Sequence, residues 1–150
     1  MLALIQRVSR AEVRVDGAVV GAIGGGLLAL VAIEPGDSEA QAQRMCERLL
    51  GYRVFADDDG KMNRSLTDTG GGLLLVSQFT LAADTRKGMR AGFSAAADPE
   101  HGLRWFSRLV DISREARKGV GLAGVETGRF GAHMEVELVN DGPVTFLLKA

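Results

Sequence analysis

Two glycine triplets, Gly24-Gly25-Gly26 and Gly70-Gly71-Gly72, each lead directly into an unbroken apolar stretch, Leu27 to Ile33 and Leu73 to Val76. A strand with one wet face alternates apolar and polar side chains, so a run without alternation suits a strand covered on both faces. Both runs are therefore expected as interior strands, and the glycines before them as turns and places of close backbone approach.

Composition narrows the class. Glycine supplies 20 of 150 residues, twice the usual ~7%, without a collagen period. Hydrophobic residues at 46% and charged residues at 25% exclude a disordered chain and fit one soluble domain over residues 1–150. A lone cysteine, Cys46, can neither staple the fold nor build a zinc site, which points to a reducing compartment, the cytoplasm. A formal charge of −1 gives no net positive field for wrapping a long duplex, so no DNA partner is expected. The first residues lack a basic leader, and no apolar run reaches the roughly 18 residues of a membrane span, so neither export nor membrane insertion is expected.

Along the chain, residues 1 to 34 read as strands, with Asp16-Gly17 as a type I′ hairpin signal. Ser38 and Gln41 make a capping-box pattern for a helix that turns Ala42, Met45, Cys46, Leu49 and Leu50 to one side and stops at Gly51. Tyr52 to Phe55 reads as a short strand. Asp98 and Pro99 open a second helix with Leu103, Phe106, Leu109, Val110 and Ser113 inward and Arg104, Arg108, Arg114, Arg117 and Lys118 on a mixed, solvated face. Alternation returns over Val120 to Val125 and Met134 to Leu138. Asn140-Asp141-Gly142-Pro143 then reads as a hairpin tip before Val144 to Leu148, where Pro143 removes a ladder donor and admits a cis bond.

The familiar catalytic motifs are missing from the sequence: no metalloprotease helix, nucleophile elbow, Walker loop or spaced dinucleotide fingerprint. No metal and no cofactor are expected. His101, in the first turn of the second helix, reads as solvated, and His133 as packed or exposed. Asp57-Asp58-Asp59 reads as a turn, because its spacing is not that of a calcium loop. Arg86, Lys87 and Arg90 form a basic loop that serves equally as a phosphate contact or a solvated surface.

Two segments carry more polar content than packing explains. Ser77-Gln78-Phe79-Thr80-Leu81 ends a buried strand in three polar side chains around a ring, and strand ends beside loops often carry sites. The second is Asn140-Asp141-Gly142-Pro143-Val144-Thr145. Together they resemble the two signature motifs of the D-aminoacyl-tRNA deacylases, and Ile5-Gln6-Arg7-Val8, Gly60-Lys61-Met62-Asn63 and Thr127-Gly128-Arg129-Phe130 extend the resemblance along the chain. Arg90-Ala91-Gly92-Phe93 departs from it, standing where members commonly carry a Pro-Ser pair.

The resemblance implies a homodimer with a compact, barrel-like α+β fold: an antiparallel or mixed sheet with two main helices. It implies hydrolysis of the ester joining a D-amino acid, or glycine, to the 3′ end of tRNA, with L-aminoacyl-tRNA rejected, as chiral proofreading in translation. Ser77, Gln78, Phe79 and Thr80 would line the pocket, with Thr80 orienting rather than attacking. Gly142 and Pro143, joined by a cis peptide and supported by Asn140 and Thr145, would enter from the partner subunit. Arg86, Lys87 and Arg90 are the candidates for tRNA phosphate contacts. A non-catalytic RNA-end binding module and a general small-ester hydrolase are the readings from other classes; a deacylation assay separates the first, and turnover of simple D-amino-acid esters the second.

Overall fold

Asp16 and Gly17 both take positive φ, 51° and 79°, and join β1 (Leu2–Val15) to β2 (Ala18–Ile23) by the two-residue turn that their sequence signals. The computed structural model describes residues 1–120 and 124–150. β3 (Gly26–Ala32) pairs antiparallel with the first half of β1, and β6 (Gly72–Ser77) lies parallel to β3. β7 (Val125–Thr127) follows parallel to β6, so the order is β2-β1-β3-β6-β7. The sheet curls until β7 faces β2: a Cβ on Gly21 would strike the Thr127 carbonyl. The result is a nearly closed, mixed, barrel-like sheet in an α+β fold, as expected.

The glycine triplets meet. Gly26 pairs in register with Gly72, whose N–H donates to the Gly25 carbonyl at 2.9 Å. A Cβ on Gly26 would overlap the Gly72 backbone, and one on Gly71 would sit 2.9 Å from the Gly25 carbonyl oxygen. Beyond this contact both strands are buried on both faces. Leu27, Ala29, Val31, Leu73 and Leu75 pack towards the helices, while Leu28, Leu74 and Val76 join Val8, Ala11 and Val13 inside the curled sheet.

Among the described residues, three α-helices cover the outer layer. α1 (Glu39–Gly51) begins at Ser38, whose N–H is taken by Gln41 Oε1 at 3.1 Å, and buries Ala42, Met45, Cys46 and Leu49. α2 (Leu66–Thr69) is a single turn with no counterpart in the sequence reading. α3 (Pro99–Gly119) starts at Asp98, whose carboxylate accepts from His101 N–H, and Arg108 ties it to Glu39 of α1 at 2.7 Å.

Four expectations need correction. Leu103 is exposed, whereas Arg117 is buried, because Arg117 follows Val110 and Ser113 at helical spacing on the inner stripe; its Nη2 donates to the Gly71 carbonyl at 2.5 Å. His101 is half-buried, with its Nε2 buried and its ring edge-on to Trp105. The short strand after α1 is β4 (Phe55–Ala56), paired with β5 (Met62–Arg64), and leaves Tyr52 and Arg53 outside it. Most consequentially, Asn140 to Pro143 do not form a hairpin. β8 (Glu135–Lys149) runs beside β1 in one direction throughout, pairing Glu135–Val139 with Arg14–Arg10 and Thr145–Lys149 with Gln6–Leu2. Between them β1 advances only from Val8 to Gln6 while β8 passes from Asn140 to Thr145, so the extra residues bulge from the edge. The expected strand start over 121–123 lies outside the described residues.

Candidate active site

β6 ends at Ser77 because the chain then leaves the ladder: Gln78 N–H still donates to Val31 O at 2.7 Å, and Phe79–Ala82 form a 3₁₀ turn. At this end a cavity of about 380 Å³ opens between the sheet and α3. Val31, Ile33, Ser77, Gln78 and Phe79 line the strand side. Asp98, Pro99, Gly102 and Phe106 line the helix side, and Phe93, Ala96, Ala97, Phe130 and Gly131 complete the wall. The lining is mostly apolar, and Asp98 is its one charged residue among those described. That carboxylate is engaged as the helix cap: the His101 backbone N–H holds its pKa below the ordinary carboxylate range.

Phe79 and Phe93 stand at the mouth with ring centroids 5.2 Å apart, both substantially exposed. Gly92 positions Phe93, because Asp84 and Gly92 exchange two backbone bonds of 2.8 and 3.0 Å. Thr80 is exposed and outside the cavity lining; its hydroxyl accepts from Gln78 Nε2 at 2.6 Å. Among the described residues, neither a histidine nor a carboxylate hydrogen-bonds this hydroxyl. A threonine hydroxyl without a base is a weak nucleophile.

Gly142 and Pro143 lie apart from this cavity, exposed on the β8 bulge and joined by a cis peptide. The bulge is fastened at its base. Asn140 Nδ2 donates to the carbonyls of Arg7 and Val144 at 3.0 and 3.2 Å, and Gln6 Nε2 donates to Thr145 Oγ1 at 3.2 Å. Arg7 Nη1 donates to Val54 O at 2.6 Å while its Nε reaches the Asp141 carbonyl at 2.8 Å. Only glycine fits at position 142, where a Cβ would strike Val144 N and lie 2.6 Å from Asn140 Oδ1.

Of the basic loop, Arg86 is committed to Asp84 through two guanidinium bonds of 2.9 and 2.7 Å, while Lys87 and Arg90 are exposed. None of the three lines the cavity. The sequence reading missed Phe93, Asp98, Gly102, Phe106 and Phe130 as lining residues, and Arg7 as the brace of the bulge. The resemblances at Ile5–Val8 and Thr127–Phe130 were the available signals for Arg7 and Phe130.

A solved structure described as a c-Myc DNA Unwinding Element Binding Protein superposes with a TM-score of 0.92 at 36% identity, covering 100% of this chain and 99% of the other. A probable eukaryotic D-amino acid tRNA deacylase shares the fold at TM-score 0.81 and 17% identity, over 99% and 98% of the two chains. The architecture is thus the α+β fold of these two proteins. The family model described as D-Tyr-tRNA(Tyr) deacylase matches residues 4–149, and the chain belongs to this family of hydrolases. D-aminoacyl-tRNA deacylases of Stenotrophomonas maltophilia and Xanthomonas oryzae are 71% and 70% identical to it, each over 99% of both chains.

Proposed function

We propose that this chain, acting as one domain, hydrolyses the ester between a D-amino acid and the 3′ end of tRNA, and that it also accepts glycyl-tRNA and rejects L-aminoacyl-tRNA. The observation that carries the reading is an apolar cavity at the strand ends, with Ser77 and Gln78 in its wall and no base beside Thr80. An aminoacyl ester is already activated, so holding it in place and stabilising the developing oxyanion are the tasks left to a protein. The 2′-hydroxyl of the terminal adenosine supplies the assistance that Thr80 lacks, and Thr80 orients.

Chirality is decided by a wall, because D and L groups share every atom and differ only in the direction of the side chain. Gly142 and Pro143 are suited to be that wall: the glycine lets backbone approach closely and the proline ring fixes φ. Glycine has no side chain to exclude and passes. In one chain the bulge and the cavity are separate, so the wall comes from a second subunit. β8, a 15-residue strand paired with β1 along one edge and carrying exposed Val139, Phe146 and Leu147, favours such a dimer. The substrate is a single-stranded RNA end, which a chain of net charge −1 can hold without a duplex-binding surface. No helix among the described residues is long and apolar enough to cross a membrane, and the site of action is the cytoplasm, where tRNA is charged.

The test is hydrolysis of D-tyrosyl-, L-tyrosyl- and glycyl-tRNA by the purified chain. Release from the first and third with the second intact is expected; equal release of D- and L-tyrosine would overturn the reading.

A further inference from the structure

A second groove lies on the far side of the Phe106–Phe130 ring pair, whose centroids are 6.0 Å apart. Leu103, Ser107, Asp111 and Arg114 form its helix wall, one stripe at helical spacing, and Thr127 to Phe130 form the other, around about 370 Å³. Phe106 and Phe130 also line the candidate active-site cavity, so the two spaces share a wall. Here the exposure of Leu103 has a use, since its side chain supplies part of the groove rather than of the core.

The groove carries two of the arginines that no carboxylate among the described residues engages. Arg10, Arg14, Arg44, Arg64, Arg86 and Arg108 all pair with carboxylates. Arg114 and Arg129 face the groove, and neither guanidinium makes an ion pair or hydrogen bond to the described residues. Asp111 is the single acid in the lining, which leaves the groove one positive charge in excess. Two guanidiniums beside a wall shared with a nucleoside-sized cavity match one phosphodiester, and Asp111 and Ser107 can accept hydrogen bonds from a ribose hydroxyl or a base amino group.

We propose that this groove is the subsite for the phosphodiester and nucleotide immediately preceding the terminal nucleoside, with Arg114 and Arg129 holding the phosphate. The inference rests on the reading that an RNA 3′ end occupies the neighbouring cavity. It separates two tasks: the cavity takes the reacting terminus, and the groove fixes the strand that leads to it.

The experiment compares binding of the trinucleotide cytidyl-cytidyl-adenosine with binding of adenosine alone, over a range of salt. The proteins are the wild type, the Arg114→Gln/Arg129→Gln double variant and the corresponding double lysine variant. The glutamine variant is expected to lose about tenfold in trinucleotide affinity relative to adenosine. Its plot of log affinity against log salt should become shallower by about one. Lysine should restore the slope by restoring the charge. A loss shared equally by trinucleotide and adenosine, an unchanged salt slope, or no trinucleotide binding by the wild type would overturn the proposal. Failure of the wild type to hydrolyse D-tyrosyl-tRNA while the trinucleotide result holds would refute the hydrolytic reading and leave the subsite standing.

Discussion

Arg7 holds Asp141 at two atoms, donating from Nε to the Asp141 carbonyl at 2.8 Å and lying 3.1 Å from its Oδ2. Because the same guanidinium also donates to Val54 O, the segment carrying Gly142 and Pro143 is braced against a second part of the chain. Arg7→Gln removes the fork and the charge but leaves the β1 ladder intact. If the bulge has to sit accurately in a neighbouring subunit, kcat/KM on D-tyrosyl-tRNA should fall by about a hundredfold, the scale on which a misplacement near 1 Å acts. Far-ultraviolet circular dichroism should be unchanged. Wild-type kcat/KM in this variant would show that the brace does not position the bulge.

The glycine triplets give a prediction about stability. A methyl at Gly26 collides with backbone on the neighbouring strand, which no rotamer change relieves, whereas a methyl at Gly36 meets nothing within 4 Å. Gly26→Ala should therefore lose about 3 kcal/mol or more in urea unfolding. Gly36→Ala should stay within about 0.5 kcal/mol of wild type. Similar stabilities for the two would mean that β3 and β6 do not approach so closely.

Much of this arrangement was legible in the sequence, for a physical reason in each case. The apolar runs after the triplets announced strands buried on both faces, and capping chemistry located the starts of α1 and α3. That the triplets meet each other was not legible, because parallel pairing between β3 and β6 is set by the crossover through α1 and not by local preference. Asn140 to Pro143 carries the composition of a hairpin turn, and only its partner reveals otherwise: one long strand, β1, lies along both halves. Leu103 and Arg117 exchanged places for a related reason. Spacing puts Arg117 on the inner stripe with Val110 and Ser113, but an arginine reads as solvated until its buried acceptor, the Gly71 carbonyl, is known. The cavity was legible only on its strand side, since α3 and Phe130 reach it from distant positions.

Asp98 both caps α3 and lines the cavity, so acid should loosen that wall. Its carboxylate accepts the His101 backbone N–H, which depresses the folded pKa below the ordinary value. A depressed carboxylate contributes fully above the unfolded pKa and loses its contribution as pH falls through the folded one. Asp98→Asn keeps a capping acceptor but does not titrate. The difference in urea stability between wild type and this variant should be constant from pH 7 to about pH 5 and should change below the ordinary carboxylate range. A difference that stays flat to pH 2.5 would show that the cap carries no linkage.

Separation of bulge and cavity within one chain makes complementation informative. A chain with Gln78 and Phe79 both changed to alanine should lose the cavity wall, and one with Gly142 changed to valine should lose the bulge. Each is expected to be inactive alone. In the proposed dimer, after subunit exchange verified by mass spectrometry, the mixture should recover up to about a quarter of wild-type activity, because half the dimers would be mixed and each would hold one intact composite site. No recovery in verified heterodimers would place bulge and cavity in the same chain's site.

The role of Thr80 can be decided by changing either partner of the reaction. Its hydroxyl accepts from Gln78 Nε2, and among the described residues of one chain no histidine or carboxylate hydrogen-bonds it to take its proton. Loss of a true nucleophile costs several orders of magnitude in kcat, whereas loss of an orienting hydrogen bond costs far less, about tenfold. If the assisting hydroxyl belongs to the RNA, Thr80→Ala should keep substantial turnover of D-tyrosyl-tRNA, with the effect divided between KM and kcat. A substrate ending in 2′-deoxyadenosine should then be nearly inert with wild type and variant alike, although it binds. The opposite pattern, a folded Thr80→Ala protein that binds tRNA but does not turn over, together with a deoxy substrate that reacts normally, would return the attack to the threonine. It would also require a proton acceptor that enters only when the second subunit or the RNA is in place.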